Sequence, residues 1–166
     1  MTAALISRSQ TRMQLRAEHI RALGEPRRRA YISFTESFYS TYNELSDAGI
    51  YLSFDDSLSN HERAQALRRA REHFDAAHAL RVQLERHTAS THVEGPQKVT
   101  NAAIEAMGKL TDFRHIIAVV LDPDASDPSF TADDIRQARL ATYQSYLNFL
   151  YAASEALTQD GLSPID

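Results

Sequence analysis

The chain has 166 residues with 43% hydrophobic and 24% charged residues, the size and make-up of one globular domain. It has no cysteine, which excludes disulfides, thiolate metal sites and cysteine nucleophiles. Five glycines and five prolines are too few for a turn-rich β fold, and the net charge of −4 is unevenly spread. Residues 1–90 hold 13 Lys and Arg against 11 Asp and Glu, whereas residues 91–166 hold 5 against 11. A basic N-terminal part and an acidic C-terminal half attract each other, within one chain or between chains, unless both are simply solvated faces.

From Thr2 to Leu23 the residues are good helix formers, but Leu5, Met13, Leu15, Ile20 and Leu23 make only a weak apolar face. Arg8, Arg12 and Arg16 recur at helical spacing on one side. Gly24-Glu25-Pro26 predicts a break or kink, with Pro26 opening a second helix. That helix, about Pro26 to Ser53, carries the clearest stripe: Tyr31, Phe34, Phe38, Leu45, Ala48 and Leu52, with Thr41 or Tyr42 filling the gap. A polar loop over 55–60 follows, with Ser59 or Asn60 as N-cap.

The next helix, about His61 to Thr91, presents Leu67, Ala70, Phe74, Ala77, Leu80 and Leu84. Gly95-Pro96 punctuates the chain. From Pro96 to Leu121 the stripe is Val99, Ala103, Ala106, Leu110, Phe113, Ile117 and Val120. Residues 116–121 are apolar nearly all round, which predicts that this end lies deepest. Residues 122–128 read as a loop. Thr131 with Asp134 approximates a capping box for a last helix buried through Ile135, Ala138, Thr142, Tyr146, Phe149, Ala153 and Leu157, closed by Gly161 and Pro164. The expectation is an all-α protein: an antiparallel four-helix bundle over 25–160, an additional basic N-terminal helical arm over 1–24 and a tail over 161–166.

Motifs for chemistry are scarce. There is no H-E-x-x-H, no G-x-S-x-G and no glycine-rich phosphate loop. His73 and His78 are five apart, on different helix faces, and His87 and His92 repeat that spacing. A bundle-type di-metal site needs Glu-x-x-His on two helices, and Asp112 with His115 is a single, aspartate-based approximation. No catalytic residue, metal or cofactor is expected. The aromatics Tyr31, Phe34 and Phe38 read as core. Tyr39 and Tyr42 lie off the stripe's centre line, where tyrosine suits a partner surface. Tyr151 and Glu155 fit a Y-x-x-x-E pattern seen in some helical secretion substrates, without the tryptophan-glycine turn that accompanies it.

The basic residues Arg8, Arg12, Arg16, Arg27, Arg28 and Arg29 form the candidate partner or nucleic-acid surface, which Arg63, Arg68, Arg69 and Arg71 would extend. Leu5, Met13 and Leu15 are the candidate self-association residues. No run approaches the length of a membrane span and no signal-peptide pattern is present, so a cytoplasmic protein is expected. The leading reading is a non-catalytic bundle that binds another protein or itself, as a homodimer. The alternative is a nucleic-acid-binding accessory protein using the arginine stripe.

The segment Arg27-Arg28-Arg29-Ala30-Tyr31-Ile32-Ser33-Phe34 resembles the R-R-x-A-Y-x-x-F landmark of a large group of uncharacterised actinobacterial all-helical proteins. Residues 93–103, with Gly95-Pro96, Val99, Ala102 and Ala103, are similar to a second landmark of that group. There a helix ends at Gly-Pro and the next opens with valine and paired alanines. The resemblance spans about residues 20–120. It implies a helical fold and carries no known activity or functional residue. Members often have an N-terminal membrane helix before an arginine-rich linker; the arginine-rich part is present here and the span is not.

Overall fold

The computed structural model describes residues 2–53, 59–122 and 130–160, with side chains from Gly24 onward. Four α-helices account for nearly all of these residues: α1 (Thr2–Leu52), α2 (Asn60–Glu94), α3 (Gln97–Leu121) and α4 (Ala132–Gln159). Among the described residues there is no strand. The fold is all-α, and no described helix is long and apolar enough to cross a membrane.

Of the break or kink expected at Pro26, the break does not occur. Helix α1 is a single element of 51 residues with Pro26 inside it. Proline removes one backbone donor and crowds the carbonyl four residues back. The loss is local, however, and the contacts of Arg27 and the burial of Ala30 and Tyr31 just beyond it keep the backbone helical.

The stripe predicted for α1 is buried in full: Tyr31, Phe34, Phe38, Leu45, Ala48 and Leu52, with Thr41 rather than Tyr42 at the intervening position. On α3 the same holds for Val99, Ala103, Ala106, Leu110, Phe113 and Ile117, but Leu121 takes the place of Val120. On α4, Ile135, Thr142, Tyr146, Phe149, Ala153 and Leu157 are buried and Ala138 is half-buried.

Two expectations are corrected. The C-terminal end of α3 is not the deepest part of the protein, because Ile116, Ala118, Val119 and Val120 are only half-buried. On α2 the buried positions are Ala70, Ala77, Leu84 and Thr91, a strict seven-residue spacing. Leu67 is 42% exposed, and Phe74 and Leu80 sit at the edge of the stripe. A seven-residue repeat of mostly small side chains lets α2 approach α1 along a narrow seam.

Capping boxes open α2 and α4. Ser59 and Glu62 exchange side-chain and backbone hydrogen bonds, as do Thr131 and Asp134. The α2–α3 connection at Gly95-Pro96 is as expected. The loop residues 55–58 and 123–128 and the stop signals Gly161 and Pro164 lie outside the described residues.

Helices α1 and α3 each touch the other three helices, whereas α2 and α4 do not approach each other among the described residues. Residue pairs between neighbours run in opposite order. Between α1 and α2 they are Arg27 with Glu94, Ser37 with His87 and Glu44 with His73. Between α1 and α4 they are Arg27 with Asp160, Phe34 with Phe149 and Tyr42 with Tyr143.

Candidate interaction surface

Two regions of the molecule concentrate polar and aromatic groups, and both are organised by α1. The first is its seam with α2. The Nδ1 atom of His87 lies 2.9 Å from the Ser33 carbonyl oxygen and 2.6 Å from Ser37 Oγ. A carbonyl can only accept, so Nδ1 carries the proton and Ser37 is not activated by this ring as a nucleophile. About four turns earlier in α2, His73 Nδ1 contacts Glu44 Oε2 at 2.8 Å, and its ring stacks on Tyr51 with centroids 5.6 Å apart. The Arg69 guanidinium caps the Tyr51 ring at 5.6 Å. Both histidines tie α1 to α2. Among the described residues no three His, Asp or Glu side chains converge in a way that could hold a metal ion.

The second region lies between α1 and α4. Phe38 stacks on Tyr146 with centroids 5.1 Å apart and rings almost parallel. Tyr39 packs on Tyr146 at 6.1 Å, and Tyr42 on Tyr143 at 5.9 Å. Phe38 is fully buried, yet Tyr39 is 47% and Tyr143 39% exposed. The cluster therefore passes from core to surface within one turn. Burial pushes the Tyr146 hydroxyl up to about 12, and neighbouring Tyr39 and Tyr143 push it the same way. The off-centre placement of Tyr39 and Tyr42 in the sequence pointed to this surface. Tyr143 and Tyr146 were not read as part of it, because Tyr146 sits on the α4 core stripe.

The arginines divide. Arg27 donates from Nη1 to both Asp160 carboxylate oxygens, at 2.9 and 3.1 Å, and from Nε to the Glu94 carbonyl at 2.7 Å. It joins α1 to the ends of α2 and α4 and is engaged inside the molecule. Arg28 is half-buried and Arg29 exposed. Arg69 lies on Tyr51, and Arg71 donates to the Leu121 carbonyl. The side chains of Arg8, Arg12, Arg16, Leu5, Met13 and Leu15 lie outside the described ones. Asp112 and His115 are both exposed, and His115 meets Phe130 edge-on at 6.2 Å. Tyr151 is 73% exposed, while Glu155 pairs with Lys98 on α3.

The chain matches no known family model, no curated protein and no solved structure.

Proposed function

We propose that the protein is a non-catalytic antiparallel four-helix bundle that acts by self-association, with the first half of α1 as an arm through which two copies meet. The opposite running order of the contacts between neighbouring helices supports the antiparallel arrangement. One observation carries the functional reading. Both α2 and α4 end beside the same residue of α1, Arg27, which holds the Glu94 carbonyl and the Asp160 carboxylate. The stretch of α1 before Arg27 is about 38 Å of helix at 1.5 Å per residue.

Leu5, Met13 and Leu15 are apolar groups on that stretch, and a partner that covers them removes them from water. A two-fold pair is the commonest solution. We further propose that the chain is a cytoplasmic member of the actinobacterial helical group whose two landmarks it resembles.

Light scattering after size exclusion tests the reading at low and high salt. Expected is a dimer at both, which Leu5→Glu with Leu15→Glu converts to monomer without loss of bundle helicity. A wild-type monomer at every concentration overturns it.

The second reading, nucleic-acid binding, rests on Arg8, Arg12 and Arg16 at one-turn spacing. The engagement of Arg27 narrows that surface to fewer residues. Binding of this kind falls steeply with salt. Absence of any DNA or RNA shift at low ionic strength ends it.

A further inference from the structure

The solvent side of the α1–α4 seam is apolar and aromatic. Of the nine large apolar side chains exposed among the described residues, three lie on this seam: Tyr39 and Ile50 on α1 and Tyr143 on α4. A fourth, Leu140, stands one turn before Tyr143. The other five are spread over α2, α3 and the α3 side of α4. The exposed rings are already held in place, Tyr39 against Tyr146 and Tyr143 against Tyr42. A surface of this kind loses little side-chain freedom when something covers it.

The charge of this face differs from that of the chain. The net charge of the chain is −4, yet from Ile135 to Ser154 helix α4 has no Asp or Glu, and Arg136 and Arg139 are its only charged residues. On α1 the acidic residues turn toward α2: Glu36 lines a hollow with Leu80 and Gln83, and Glu44 bonds His73. Asp47 falls on that side too, seven residues beyond Ser40 of the same hollow. Beside Ile50, Arg136 and Arg139 reach the seam from α4. Arg136 pairs with Asp133, whereas Arg139 makes no hydrogen bond or ion pair with any described residue. The face is therefore aromatic and aliphatic, with an unneutralised positive charge at one end. Tyrosine and arginine without Lys, Asp or Glu is the composition of the centre of a protein–protein interface.

We propose that the α1–α4 face docks an amphipathic helix of another protein, one whose apolar stripe is flanked by Asp or Glu. Tyr39 to Ile50 spans about 16 Å of α1, three helical turns. A helix laid along the seam sets one apolar side chain per turn against Tyr39, Tyr143 and Ile50, and its acidic flank meets Arg139. A basic helix is repelled. That includes the arm of a second copy, which carries Arg8, Arg12 and Arg16. The face is thus a partner site separate from self-association through the arm.

The chain has no tryptophan, so a single tryptophan in a synthetic peptide reports the peptide alone. The probe is an amphipathic helix of about 18 residues with a leucine stripe and Glu flanks, and the control carries Lys in place of Glu. With full-length protein, the tryptophan anisotropy of the Glu peptide rises saturably, and the Lys peptide binds at least about tenfold more weakly. Tyr143→Ser, at an exposed position and with helicity retained, weakens the Glu peptide about tenfold. Arg139→Glu inverts the preference between the two peptides. The arm variant Leu5→Glu with Leu15→Glu binds the Glu peptide as wild type does, so failure of self-association leaves this test standing. Equal binding of the two peptides, no binding of the Glu peptide, an unchanged Tyr143→Ser or Arg139→Glu variant, or loss of binding in the arm variant overturns the proposal. So does tighter binding of a single-stranded oligothymidylate that Tyr143→Ser abolishes, which would assign the face to nucleic acid.

Discussion

Arg27 and Asp160 stand 133 positions apart in sequence and meet through two hydrogen bonds of 2.9 and 3.1 Å. Their side chains are 32% and 21% exposed, and the same guanidinium holds the last carbonyl of α2. Removing Arg27 therefore unties two helix ends from α1 at once. Arg27→Ala is expected to cost about 1–2 kcal/mol, a hydrogen bond to charge discounted for partial exposure. Asp160→Asn, which leaves the Glu94 contact intact, costs less. Urea denaturation of the two single variants and the double variant reads the coupling, expected near 1 kcal/mol. Additive losses would show that the pair is incidental.

Arg27→Lys separates charge from shape. An ammonium keeps the attraction to Asp160 but cannot place donors on both the carboxylate and the Glu94 carbonyl in a fixed plane. The substitution is expected to lose at least half of the effect of Arg27→Ala in the same denaturation series. Full retention would show that charge alone matters at this junction.

The helices were legible in the sequence because the core stripes of α1, α3 and α4 each include several large residues and recur at steps of three and four. Tyr31, Phe34 and Phe38 recur at helical spacing, and all three are fully buried. Helix α2 was harder. Its buried positions are mostly small, so Leu67 drew the eye although it lies outside the stripe. Pro26 misled for a different reason: its penalty is local, and the packing that outweighs it is tertiary. Arg27 belonged to a run of three arginines that reads as a basic patch, and nothing nearby signals a partner at Asp160.

Gly49 and Gly108 both lie within helices, yet they answer differently to alanine. A Cβ on Gly49 would stand 2.9 Å from Ile135 Cγ2 and 3.5 Å from Phe113 Cζ. Ile135 is buried and β-branched, so it has little room to yield. Gly49→Ala is expected to destabilise by about 1–3 kcal/mol. A Cβ on Gly108 would meet nothing within 4 Å. There the gain in helix propensity dominates, and Gly108→Ala stabilises by about 0.5–1 kcal/mol. Thermal unfolding distinguishes them by opposite shifts in Tm, and equal shifts would contradict the packing at Gly49.

The two capping boxes predict an acid-side loss. Hydrogen bonds from Ser59 hold the Glu62 carboxyl below its usual range, and those from Thr131 do the same for Asp134. Because the folded value is the lower one, this stabilisation is present at neutral pH and is lost as pH falls through the carboxylate range. Ser59→Ala is expected to cost about 1 kcal/mol at neutral pH. The difference between this variant and wild type should shrink in acid, read by denaturation at neutral pH and at about pH 3. A constant difference would mean that the Glu62 carboxylate takes no part in the cap.

At the alkaline end the decisive group is Tyr31. It is fully buried, and its hydroxyl has no hydrogen-bond partner among the described residues. Burial pushes it up to about 12; Arg27 works against that rise, and Asp160 and Glu94 add to it. An unfolded tyrosine ionises near 10, so the unfolded chain releases this proton first. The contribution of Tyr31 is thus fully present below pH 10 and is lost as pH rises from about 10 to about 12. Tyr146, also pushed to about 12, adds to the same slope. Ultraviolet titration of the seven tyrosines should show a late-ionising fraction that merges with the rest on unfolding. Tyr31→Phe removes an unpaired buried hydroxyl while keeping the ring, which meets Phe149 edge-on at 6.2 Å. The variant is expected to gain about 1 kcal/mol at neutral pH and to lose less stability than wild type between pH 10 and 12. A destabilised variant with the wild-type alkaline slope would show that the hydroxyl finds a partner in solution.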